Sequence, residues 1–371
     1  MPLAERQTIM ERIEELRGGR ALVCFFNFDR GSTPSIPGLQ TQIATDAKGP
    51  LYKVLKETVP PNRKLDLCLY TRGGETNAVW PLVSILREFD PDFEVLVPFR
   101  CHSSGTLLAL GAKKIVMTPL AELSPIDPST GNQFNPTDPN DSTKRLGIAV
   151  EDVQAYRNFI LDQFKVKGDG DKDTALARDV LRPFVDRLTD RVHPLALGNV
   201  HRVHQQIKKL GTKLLGLHPI KGRKLDTVID SLTTGYYSHL HMINRNEAAT
   251  ILGSTQLVRS SRELDDVLDE LMRGYEESFA LGSPFYLAAE MKDDQAKDLR
   301  FAGSVIESRC CAFIYETRAN VRQHSQLPPN VQVQLPAGQQ LPLIPGLPRH
   351  YNVDIKNQGW VKNERPEGVT L

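Results

Sequence analysis

Ser103 and Ser104 sit in the run Cys101-His-Ser-Ser-Gly105, between the apolar stretch Phe93 to Pro98 and a helix-like segment. A serine hydroxyl becomes a useful nucleophile when a neighbouring group takes its proton and nearby N–H groups stabilise the oxyanion it creates. A strand-to-helix junction meets the second need, because the first amides of a helix have no acceptor within it and carry its positive dipole end. Upstream, Arg72-Gly73-Gly74 occupies a second such junction. Glycine there lets the backbone turn sharply and present its N–H groups closely to a ligand. Each feature has a plainer reading: a helix N-cap for Ser103, loop punctuation for the glycine pair. On neighbouring parallel strands, however, the two junctions would set the Gly74 and Ser104 amides around one point beside the Ser103 hydroxyl, the layout of an oxyanion hole.

The proton acceptor is less legible. His193 precedes Pro194 at the head of a helix-like segment and titrates near neutrality when unperturbed, but equally reads as a packed helix-start residue. His102 adjoins Ser103, and neighbours on a strand end point to opposite sides. His239 and His241 read as structural, Lys144 as a solvated loop residue, and Asp127 as a group that orients a base or caps its loop. His201 and His204 share a helix face at a spacing of three, yet neither an HExxH pattern nor a third ligating carboxylate accompanies them. No metal and no cofactor are therefore expected. Arg202, Lys208, Lys209 and Lys213 on the same segment read as a solvated or subunit-facing stripe.

These residues need a scaffold. Ile9, Met10, Ile13 and Leu16 predict a helix over 5–18 that Gly18-Gly19 ends. A continuous, aromatic-rich apolar run predicts a buried strand at 21–28, and further strands are expected at 64–70, 93–98 and 114–117, with helices near 50–58, 75–89 and 106–112 between them. That alternation implies βα crossover units and a largely parallel sheet, whose ligand sites form at the carboxyl ends of the strands. Residues 129–145 read as a polar loop. Helices are expected at 150–164, 173–188, 195–217, 224–234, 244–252 and 262–279, and a β-like run at 299–318. From His324 the chain turns Pro/Gln-rich and is expected to be extended or partly ordered, dispensable to the core.

The chain has 371 residues, with 46 Lys+Arg against 45 Asp+Glu and 40% hydrophobic content. Near-neutrality argues against bulk electrostatic binding of nucleic acid, and the apolar content suffices for a core. No apolar run approaches the roughly 20 residues of a membrane helix, and the first residues lack the pattern of a secretory leader. Cys24, Cys68, Cys101, Cys310 and Cys311 show no CxxC spacing, which fits reduced thiols in a cytoplasmic protein.

Cys101 to Ala112, Lys114-Ile-Val-Met-Thr-Pro119 and Leu123-Ser-Pro-Ile-Asp-Pro128 together resemble the core of the Clp protease/crotonase superfamily. More narrowly the chain is similar to signal peptide peptidase A-like serine proteases and, within them, the serine dehydrogenase proteinases. His193 to Val200 and Ser238 to Ala248 share that likeness. The resemblance implies an α/β fold with a repeated ββα core over 1–146, a helical extension over 147–290 and a β-like segment with a Pro-rich tail over 291–371. It further implies a serine peptidase acting on polypeptides and assembled as a homo-oligomer. Ser103 aligns with the nucleophile, and the Gly74 and Ser104 amides align with the oxyanion donors. The histidine that Clp subunits use has no counterpart in Ser124 to Pro128, and the lysine of signal peptide peptidases has none over 147–160, which leaves His193 as the candidate base. Two other functions stay open: a crotonase-type acyl-thioester enzyme working through Glu122 and Asp127, and a non-catalytic oligomeric scaffold.

Overall fold

Strands Ala21–Asn27 and Leu65–Tyr70 are buried along their whole length, as strands covered on both faces are. In the computed structural model they pair in parallel at the middle of an eight-stranded sheet. The structure describes residues 3–126, 129–130, 132–139, 141–163, 171–218, 222, 224–236, 238–327 and 343–363. Beyond Leu65–Tyr70 the sheet continues in parallel through Glu94–Val97, Lys114–Met117 and Leu257–Arg259. On the other side of Ala21–Asn27 it turns antiparallel, through Ala296–Glu307, Ala312–Ser325 and Arg349–Lys362. The fold is thus of the expected α/β class, with an antiparallel extension.

Alternating side chains send Leu22, Cys24, Phe26, Cys68 and Tyr70 to one face of the sheet. Helices Leu3–Leu16 and Arg262–Phe279 close over it with Ile9, Met10, Ile13, Leu268, Leu271 and Tyr275. Phe26 stacks on Tyr275 with ring centroids 4.2 Å apart. Each such large side chain contributes about 1.5–3 kcal/mol on full burial, so this layer anchors the strands whose ends carry the candidate site. Lys48–Thr58 packs on Ala21–Asn27, and Thr76–Phe89 packs on Lys48–Thr58.

The chain forms two packing units, one from residues up to Glu122 and from Leu257 onward, the other from Leu123 to Gln256. The breaks fall at 122/123 and 256/257, because Leu257–Arg259 joins the sheet and Arg262–Phe279 covers it. Helical periodicity reveals an apolar face but not which sheet it will cover. The stretch beyond His324 differs from expectation. Arg349–Lys362 is the sheet's outer strand, and Trp360 meets Tyr315 and Phe25 edge-on at 5.6 and 6.3 Å, so this part of the tail packs as an edge strand of the sheet.

In the other unit, helices Val150–Gln163, Asp171–Arg191, Pro194–Leu215, Leu225–Thr234 and Arg245–Leu252 match the expected segments. Pro194–Leu215 and Leu225–Thr234 meet closely at Gly211, where a Cβ would lie 2.6 Å from Ile229 Cδ1. The expected polar loop contains short paired strands, Thr137–Asp138 with Asp141–Arg145 and Ser129–Thr130 with Ile148–Ala149.

Candidate active site

Between the short strand Arg100–Cys101 and the helix Ser104–Ala109, Ser103 takes φ 51° and ψ −114°. A non-glycine residue held there carries strain of about 1–3 kcal/mol, the kind that clusters where a side chain must be presented at a sharp strand-to-helix elbow. The Ser103 side chain makes no capping hydrogen bond to the helix, which removes its plainer reading. It lies half-buried against Gly73: a Cβ on that glycine would sit 2.7 Å from Ser103 Cβ and 3.3 Å from its Oγ. Gly73 also has φ 112°, so only glycine suits the position.

Ser104 behaves differently. It is buried, and its hydroxyl donates to the Gly74 carbonyl oxygen at 2.7 Å. Ile43 secures the same turn from outside: its N–H donates to Gly73 O at 2.8 Å, and its carbonyl accepts from Glu75 N–H at 2.8 Å. The Gly73–Gly74 peptide is trans, so a C=O aimed at Ile43 turns the Gly74 N–H away from that segment. Gly74 cannot carry a side chain, because its Cβ would meet the Ile43 backbone at 2.2 Å. Ser103, Ser104, Gly73 and Gly74 are therefore brought together as one pair of interlocked turns. A cleft of about 730 Å³ opens beside the glycine pair, lined among others by Asp29, Gln40, Thr41, Arg72, Gly73 and Gly74.

A chain of charges borders the turns. Asp29 accepts from Tyr70 Oη at 2.9 Å and pairs with Arg72 and, at 3.0 Å, with Arg100. Burial works to raise the Asp29 carboxyl, but the hydrogen bonds from Arg72 and Tyr70 and the two guanidinium charges outweigh it and hold its pKa below the usual value. Arg100 also reaches Glu122 at 3.3 Å. His102 Nε2 lies 3.0 Å from Glu122 Oε1, in ion-pair range but without the alignment of a directed hydrogen bond. Burial, aided by Arg100 and Arg72, outweighs Glu122 and holds the His102 pKa below its ordinary value.

Compared with known proteins, residues 1–181 match the family described as ClpP-like SDH-type serine proteinase. The likeness to that serine proteinase family extends over this region. Two curated relatives come from Methanocaldococcus jannaschii. The uncharacterized protein MJ0137 is 30% identical over 131 residues, which are 32% of this chain and 46% of that protein. The uncharacterized protein MJ1495 is 22% identical over 233 residues, 58% of this chain and 77% of that protein. The chain thus spans about half the length of the first relative. Among solved structures, ClpP1 from Listeria monocytogenes is similar at 12% identity and a TM-score of 0.35, covering 68% of this chain and 98% of that one. A mutant of the 1510-N membrane-bound stomatin-specific protease in complex with a substrate peptide is similar at 15% identity and a TM-score of 0.33, covering 60% and 74%.

The Ser103 and glycine turns lie in one packing unit, whereas His193, beyond the matched region, lies in the other. There its Nδ1 accepts from Leu195 N–H at 3.1 Å and its ring stacks on Phe134 at 4.8 Å. In the neutral ring that bond places the hydrogen on Nε2, so His193 is satisfied as a helix cap. Lys144 Nζ pairs with Asp141 at 3.1 Å and is 73% exposed. His241 contacts Glu247 at 3.1 Å and stacks on Tyr236 at 4.3 Å. Asp127 lies outside the described residues. His204 is buried and His201 exposed on their helix. Two residues that sequence reasoning passed over, Asn27 and Thr71, are buried beneath the glycine turn. A polar residue at the carboxyl end of each of two neighbouring buried strands was the available signal.

Proposed function

We propose that the chain is a serine peptidase in which Ser103 attacks the scissile carbonyl and forms an acyl-enzyme. The Gly74 and Ser104 amides bind the oxyanion, and a polypeptide lies in the cleft beside Gly73-Gly74. The observation that carries this reading is the division of labour between adjacent serines. Ser103 occupies the strained elbow against Gly73, while the Ser104 hydroxyl is consumed by Gly74. The leaving amine departs with the proton taken from Ser103, and water then hydrolyses the ester.

His193 is the proposed proton acceptor, and must give up its Nδ1 cap or change tautomer to serve. Glu122 is engaged by Arg100 and His102, which weakens the acyl-thioester alternative. The test is active-site labelling with a fluorophosphonate followed by peptide mapping. An adduct on Ser103, lost in Ser103→Ala, supports the reading; an oligomer that neither labels nor cleaves peptides favours the scaffold.

A further inference from the structure

We propose that Thr71 is the positioning residue that sets both turns of the candidate active site, a role that rests on the serine-peptidase reading above. Thr71 is fully buried just past the end of strand Leu65–Tyr70. Its N–H donates to Arg100 O at 2.9 Å, and its carbonyl accepts from His102 N–H at 3.0 Å. The strand that delivers Ser103 is thereby pinned on both sides of Cys101. Its Oγ1 accepts from Gly73 N–H at 3.0 Å. Its methyl fills the place of the Cβ that Gly105 lacks, which would lie 2.4 Å from Thr71 Cγ2. One side chain thus touches the glycine turn, and the helix start after Ser103, from inside the protein.

The hydroxyl is itself oriented. It lies 2.9 Å from Asn27 Oδ1, while Asn27 Nδ2 donates to Ser304 Oγ at 2.7 Å, which fixes the amide with its oxygen toward Thr71. Asn27 and Ser304 are each 1% exposed. A hydroxyl has one proton; given to Asn27, it leaves Oγ1 as the acceptor for Gly73 N–H. Loss of the hydroxyl orphans a buried amide in the residue that abuts Ser103 and precedes the proposed oxyanion donor Gly74.

The test uses the full-length protein as wild type, Thr71→Val and Thr71→Ser, with thermal melting as the check on folding. It reads the rate of Ser103 phosphonylation and the kcat and KM for a fluorogenic peptide. A positioning role predicts that Thr71→Val lowers phosphonylation and kcat by roughly 10–100-fold, the scale of a small misplacement of reacting groups, with KM within about twofold. Thr71→Ser, which keeps the hydroxyl, returns both to within about threefold of wild type. Should Thr71→Val not fold, Thr71→Cys, similar in size but a weak acceptor, takes its place. Equal labelling of wild type and the hydroxyl-less variant overturns the role of Thr71 and leaves the peptidase reading standing. Absence of any Ser103 adduct in wild type overturns that reading and this proposal with it.

Discussion

The Ser104 hydroxyl donates to the Gly74 carbonyl oxygen at 2.7 Å, fastening the helix that follows Ser103 to the glycine turn beside it. On the proposed reading Ser104 tunes the site and Ser103 is the nucleophile. A hydrogen bond of this kind contributes about 0.5–1.5 kcal/mol, so Ser104→Ala should lower kcat by about three- to tenfold and spare the rest. Peptide-cleavage kinetics check this; loss as complete as in Ser103→Ala would exchange the roles of the two serines.

Gly73 should tolerate no side chain. Its φ of 112° is unfavourable for any other residue, and an added methyl would lie 2.7 Å from Ser103 Cβ. Gly73→Ala should displace Ser103 and abolish fluorophosphonate labelling, with a lower melting temperature. A variant that labels at the wild-type rate would show that Ser103 is not held against this turn.

The base can be located by contrast. His193→Gln should remove at least about 100-fold of activity, within the range that general acid–base catalysis supplies, and lose some helix stability, because its Nδ1 caps Leu195. Lys144→Met, at an exposed ion pair with Asp141, should retain most activity. The reverse ranking would remove His193 from the role.

Acid should weaken the border of the site through Asp29. Its native pKa is depressed, so its contribution to stability is complete above the unfolded value of about 3.9 and is lost as pH falls through the lower native value. Asp29→Asn should cost about 1–2 kcal/mol at pH 7, discounted for the exposure of Arg72. The gap to wild type should close on titration from about pH 5 downward. Denaturant melts across that range check the sign; a gap that widens in acid would contradict it.

Removing the chain after residue 326 should destabilise the sheet. Arg349–Lys362 pairs along Ala312–Ser325, and its loss bares the strand edge and the Tyr315 ring that Trp360 covers. The truncated protein should melt lower or become insoluble in a thermal scan. An unchanged melt would return the segment to the status of a dispensable tail.

Much of the architecture was legible in the sequence because it is local. Ala21 to Phe26 is an unbroken apolar run, Leu65 to Tyr70 is apolar but for Asp66, and Arg262 to Phe279 has a clean helical stripe, so strands and helices fall where expected. The elbow at Ser103 was legible from its place after a strand and before a helix. What was not legible depends on contacts between distant residues. Nothing local says that Arg349–Lys362 pairs with Ala312–Ser325, or that Asn27 and Thr71, 44 positions apart, share a hydrogen bond under the glycine turn. The base fell in the same gap, because a proton acceptor is defined by what it approaches rather than by its neighbours in sequence.

The account stands most directly on intact-mass analysis of the full-length protein after fluorophosphonate treatment. It predicts a single adduct, mapped to Ser103, in wild type and in Ser104→Ala, and none in Ser103→Ala. An adduct that persists in Ser103→Ala, or a wild-type protein that takes none while remaining folded, would contradict it.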